Sequence, residues 1–210
     1  QRSRLQAIIL MSLANALHFS AYELGRSAIM AIFTSDATGF DSAAITLATG
    51  FVSPFSILLL WIHRNVFDRY GPRRALLTST VAYSLLLASV AMLLQSNPPR
   101  RVTQCSIVLL FIAKNAFVQL LAAQHWSFLT TLLQRKTTYT SIIAGTASLA
   151  STLSASLVSP LVQYLQSLTS VILAASCILL VTALVSEAAY ALAHKVRRLQ
   201  TCPRILTMKR

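Results

Sequence analysis

Six long apolar runs constrain this chain more than any other feature. They cover roughly residues 5–33, 42–66, 75–95, 104–134, 139–165 and 168–194. Each is long enough for a bilayer-crossing helix, which needs about 20 mostly apolar residues. Only 11% of residues are charged, against about 25% in soluble domains, and the mean hydropathy is +0.65. A water-soluble domain and a disordered chain are both excluded on these grounds. Backbone polar groups find no water in hydrocarbon, so spans of this length must be helical. A β-barrel would instead show alternating segments of about ten residues. The expected fold class is therefore all-α: a polytopic membrane protein with six transmembrane helices. The first run is too long for a signal peptide, and Asn15, His18, Glu23 and Arg26 interrupt it.

The connections carry the expected punctuation. Thr34 to Asp41, Phe67 to Arg74 and Ser96 to Thr103 join the first four runs, with Pro98 and Pro99 breaking the helix in the third connection. Gln134 to Thr138 joins runs four and five, and a very short turn near Gln166 joins five and six. Residues 1–195 form one bundle, and 196–210 read as a basic cytoplasmic tail or the start of a linker. The first residue is Gln1 rather than Met, which suggests a fragment or a processed chain.

The net charge of +13 comes from 18 Lys and Arg against five acids. In a soluble protein such an excess would point to nucleic acid. Here it orients the chain. With the amino terminus in the cytoplasm, fourteen bases fall on the cytoplasmic side: Arg2 and Arg4, then Arg64, Arg69, Arg73 and Arg74, then Arg135 and Lys136, then six after residue 194. Only Arg100 and Arg101 fall opposite. This bias predicts an integral, multi-pass protein with both termini cytoplasmic. Cys105, Cys177 and Cys202 show no CxxC or Cys/His spacing, so neither a metal site nor a disulfide framework is expected. No cofactor and no nucleic-acid partner are expected.

Asp68-Arg69-Tyr70-Gly71-Pro72-Arg73-Arg74 is the most specific motif present. Gly71 permits a tight turn, and Pro72 suits the first position of the next helix. Asp68 can pair with a nearby Arg, and the bases sit where they meet an anionic leaflet. The motif resembles the D-R-x-G-x-R-R loop of the major facilitator superfamily, in the loop after the second span. The glycine that the family places four residues before the Asp is Arg64 here. The resemblance implies one half of a fold usually built from two six-helix halves, and a gating role for Asp68, Arg69, Gly71, Arg73 and Arg74. A weaker likeness, to the nucleotide (ATP/ADP) translocase branch, rests on Gln124-His125-Trp126-Ser127-Phe128, the basic Arg135-Lys136, and Ile143 to Leu149. Close packing of small residues from Gly145 to Ser156 explains that last stretch equally.

Ionisable groups inside a span are costly and usually face a cavity or a partner. Asn15, His18, Tyr22 and Arg26 recur at spacings of 3, 4 and 4, forming one stripe on the first helix. Glu23 lies one turn before Arg26. The fourth run carries Lys114, Asn115, Gln119 and His125. From the span middles, Arg26 lies about 10 Å and Lys114 about 8 Å to the outer side of the midplane. In the fold implied by the resemblance, the first and fourth helices line the central cavity. Arg26 and Lys114 would then attract an anion, and these nine residues form the candidate solute site. Three plainer readings stay open. Glu23 and Arg26 neutralise each other, Lys114 snorkels outward, and the histidines only pack.

The expected function is a secondary transporter, or half of one, moving a small solute by alternating access. Its partners would be the bilayer, a small solute of anionic type, and a second six-helix half or a second copy of the chain. Two alternatives are a non-transporting scaffold or degenerate half-transporter, and a nucleotide exchange translocase. An enzyme is not expected, because neither a nucleophile motif nor clustered metal ligands are visible.

Overall fold

A computed structural model describes the backbone of residues 2–35, 40–133 and 137–207, and the side chains of 5–35, 40–41, 43–120, 123 and 144–192. The described residues are all-helical, with no strand. The helices are α1 (Arg2–Phe33), α2 (Ser42–Gln95), α3 (Arg100–Leu133), α4 (Thr137–Leu165) and α5 (Leu168–Thr207). All five contain a stretch long and apolar enough to cross a membrane. The class defined by the fold is a multi-pass helical membrane protein.

Five helices stand where the apolar runs predict six spans. The difference lies in α2, whose 54 residues would reach about 81 Å if straight. A hydrocarbon core is only about 30 Å thick. Inside α2, Gly71 alone leaves helical geometry, at φ 81° and ψ 171°. The loop expected from Phe67 to Arg74 is thus reduced to one residue, with helix on both sides. A β-carbon at Gly71 would meet nothing within 4 Å. Glycine is needed there for its dihedrals, not for space.

Gly71 makes α2 a hairpin. Phe55 and Leu86 line one groove together, as do Val66 and Ala75. In a straight helix Phe55 and Leu86 would lie about 46 Å apart. The connections after α2 and between α4 and α5 follow the sequence closely, while residues 36–39 and 134–136 of the other two lie outside the described residues. Asn97, just before Pro98 and Pro99, and Gln166 between α4 and α5 both adopt positive φ. The stretch after 195 continues the last helix as far as Thr207.

α1 packs against α5, α4 and α3, while α3 packs against α2, and α2 also meets α5. The core contains Phe33, Ile29, Leu87, Leu110, Ile172 and Leu179. Large apolar side chains such as Leu47, Ile57, Trp61, Leu149 and Leu184 point outward. That is the surface a lipid-facing bundle requires.

Small residues set the closest helix approaches. Ser84 Oγ donates to the Ser176 carbonyl and Ser176 Oγ donates to the Ser84 carbonyl, each at 2.9 Å. The contact is therefore locally symmetric between the two serines. A shift of 92 residues, their separation, has a second consequence. It carries the close approach of Gly25 to Ala175 onto the stacked pair Phe117 and Tyr83.

Candidate functional site

The polar stripe of α1 faces the bundle at one end and opens at the other. Asn15 and His18 are buried, Tyr22 is half-buried, and the Arg26 side chain is 53% exposed. His18 retains 1% of its surface and stacks on Phe117 of α3, with ring centroids 5.9 Å apart. Phe117 also stacks on Tyr83 of α2, at 3.9 Å and 19°. An aromatic layer therefore joins α1, α2 and α3.

Lys114 lies one turn from Phe117 on α3 and is only 3% exposed. Its Nζ stands 4.9 Å from the Phe111 ring centroid, a cation–π arrangement. Outward snorkelling is therefore not how this lysine is accommodated. Arg26 and Glu23 lie near enough for their charges to act on it. Phe33 of α1 packs on Phe111, with ring centroids 5.0 Å apart.

Glu23 is committed to Arg26, with Arg26 Nε 3.3 Å from the carboxylate. Arg26 and Glu23 are also the charges nearest the Tyr22 hydroxyl. Among the described residues no carboxylate comes within 4 Å of Lys114. The site is thus a self-paired Arg26–Glu23 beside one buried, unneutralised cation. An isolated ammonium in a low-dielectric environment needs a counter-charge or water.

The remaining candidates divide. Asn15 is buried, and its Oδ1 has no hydrogen-bond partner among the described residues. Asn115 Nδ2 donates to its own helix at the Phe111 carbonyl, 2.9 Å away. Gln119, four residues further, is exposed. These two occupy a different face of α3 from Lys114. His125, with Gln124 and Trp126, lies outside the residues whose side chains are described, as do Arg135 and Lys136. Among the described residues no group of three His, Cys, Asp or Glu could hold a metal.

Tyr83 escaped the sequence reading. It is buried on the second arm of α2 and stacks on Phe117. Its signal was available, because a tyrosine in an apolar span needs a partner for its hydroxyl.

The loop motif resolves into separate pairs. Asp68 meets Arg64 at 3.7 Å, one turn back on the same arm, and both are well exposed. Arg73 reaches across to hydrogen-bond Glu187 of α5. The hairpin brings the turn of α2 beside α5, which delivers Arg73 to this carboxylate. Arg69 and Arg74 are exposed and form no ion pair among the described residues. No family model, no curated protein and no solved structure matches this chain.

Proposed function

We propose that this chain is one six-span half of a secondary transporter resembling the major facilitator superfamily, and that it carries a small anionic solute by alternating access. The observation that supports this best is Lys114, a buried cation beside an already neutralised Arg26–Glu23 pair. An anion entering there gives Lys114 the charge-assisted hydrogen bond that no described carboxylate supplies.

In this reading the two arms of α2 are separate spans, which gives six spans and both termini in the cytoplasm. The reciprocal Ser84–Ser176 contact and the 92-residue register support two three-span repeats. Inverted repeats of this kind are a common build for transporters, with solute sites at the repeat interface. A second six-helix half, or a second copy, completes the pathway. α4 leaves Gly145, Ser148, Thr152 and Ser156 exposed along one face, a surface suited to close helix contact.

The test uses the full chain in nanodiscs, with inorganic phosphate, succinate, ADP and glucose as probes. An anion should bind, and Lys114→Gln should weaken it roughly ten- to a hundredfold. Glucose binding should be indifferent to the substitution. Equal anion binding by the folded Lys114→Gln variant would reject this reading.

A further inference from the structure

Between the arms of α2 runs an apolar groove of about 340 Å³ for which the transport reading has no use. Its floor is α3, where Ala113, Phe117 and Leu120 are all buried. Its lips are the exposed residues Ile62, Thr78 and Ala82. It extends from Val66 and Ala75, beside the Gly71 turn, to Phe55 and Leu86. Eleven helical residues make that length about 16 Å. One leaflet of a hydrocarbon core about 30 Å thick measures about the same. At that length the groove is long and narrow, a shape suited to an extended acyl chain rather than to a helix about 10 Å across.

Both lips end in charge. Phe55, Leu59, Ile62 and Val66 recur at spacings of 4, 3 and 4, and the next position of that stripe is Arg69. On the other arm Leu86, Ala82 and Thr78 recur every four residues, and the next position is Arg74. Thr78 Oγ1 donates to the Arg74 carbonyl at 2.6 Å, which ties the end of that stripe to the groove. Asp68 is paired with Arg64 and Glu187 with Arg73, so Arg69 and Arg74 are the two turn arginines left without a carboxylate among the described residues.

We propose that this groove binds one anionic phospholipid from the leaflet at the Gly71 end. An acyl chain lies between the arms of α2, and the lipid phosphate rests on Arg69 and Arg74. The apolar walls replace lipid neighbours for the chain. The two guanidinium groups supply planar donors that match a phosphate. The proposal requires only that the chain spans a membrane, so it stands or falls separately from solute transport.

The experiment is native mass spectrometry of the full chain in detergent, titrated with phosphatidylglycerol, phosphatidylcholine or glycerol 3-phosphate. One phosphatidylglycerol per chain should be retained in preference to phosphatidylcholine, and glycerol 3-phosphate should bind far more weakly. Each arginine contributes roughly fivefold, so Arg69→Gln with Arg74→Gln should lower phosphatidylglycerol affinity about thirtyfold. Ala82→Trp should fill the groove and abolish retention with both arginines intact. Thr78→Leu narrows the same lip more gently and serves if the tryptophan variant does not fold, helicity and elution being the checks. Equal retention of the two lipids overturns the proposal. So does equal affinity for glycerol 3-phosphate, unchanged retention in a folded groove-filling variant, or a cysteine at Ala82 that crosslinks two copies and excludes lipid.

Discussion

Arg73 and Glu187, 114 positions apart in the chain, meet in a hydrogen-bonded ion pair that ties the turn of α2 to α5. The pair exists because Gly71 reverses α2 immediately before Arg73. It gives the basic motif a tertiary partner, where charge counting alone offers only a cytoplasmic address.

The energetic worth of this tie should be small. Its side chains are 50% and 34% exposed, and such pairs contribute about 0.2–1 kcal/mol. A double-mutant cycle with Arg73→Gln and Glu187→Gln should return a coupling energy in that range. If the tie matters for function, transport rate should fall in each single variant while equilibrium solute binding holds. Loss of binding in folded protein would assign the pair a different role.

Gly71→Ala should destabilise the bundle by about 1–3 kcal/mol, since its backbone occupies a region that is essentially glycine-only. Unfolding in mixed micelles measures this directly. Open space around the residue means that no steric clash contributes. A neutral result would show that the turn relaxes to another geometry.

Ser84→Ala and Ser176→Ala should each cost about 0.6 kcal/mol, the average for an interhelical hydrogen bond within a membrane. Ser84→Leu should cost considerably more, because the hydroxyls are 2.9 Å apart and leave no room for a larger side chain. Equal stability of the alanine and leucine variants would mean that the helices do not approach this closely.

Lys114→Met should leave stability unchanged or raise it by up to roughly 3 kcal/mol, the order of the cost of a lysine deep in a membrane. The thioether keeps the length and the contact with Phe111. Anion binding should nevertheless be lost. A stable variant that lacks binding separates a functional cation from a structural one, whereas a destabilised variant would make Lys114 part of the scaffold.

Topology is testable without any knowledge of the solute. Reporters fused after Asp41 and after Lys195 should report opposite sides of the membrane. Two reporters on the same side would exclude six spans with cytoplasmic termini.

Sequence alone determined the helical, membrane-spanning class and most helix boundaries. The limits of α1, the break at Pro98 and Pro99, and the turn at Gln166 all follow from local apolar length and turn chemistry. The stripe of α1 and the Glu23–Arg26 pair were legible too, since both depend on helical spacing within one segment. Tertiary structure decided the rest. That Lys114 is buried over Phe111, that Tyr83 enters the aromatic layer, that Glu187 answers to Arg73, and that Ser84 clasps Ser176 all depend on which helix lies beside which. In a chain whose helices are apolar on nearly every side, hydrophobic periodicity does not mark the inward face. Close contacts between small residues and the few buried polar groups choose it instead, and those contacts join positions far apart in sequence.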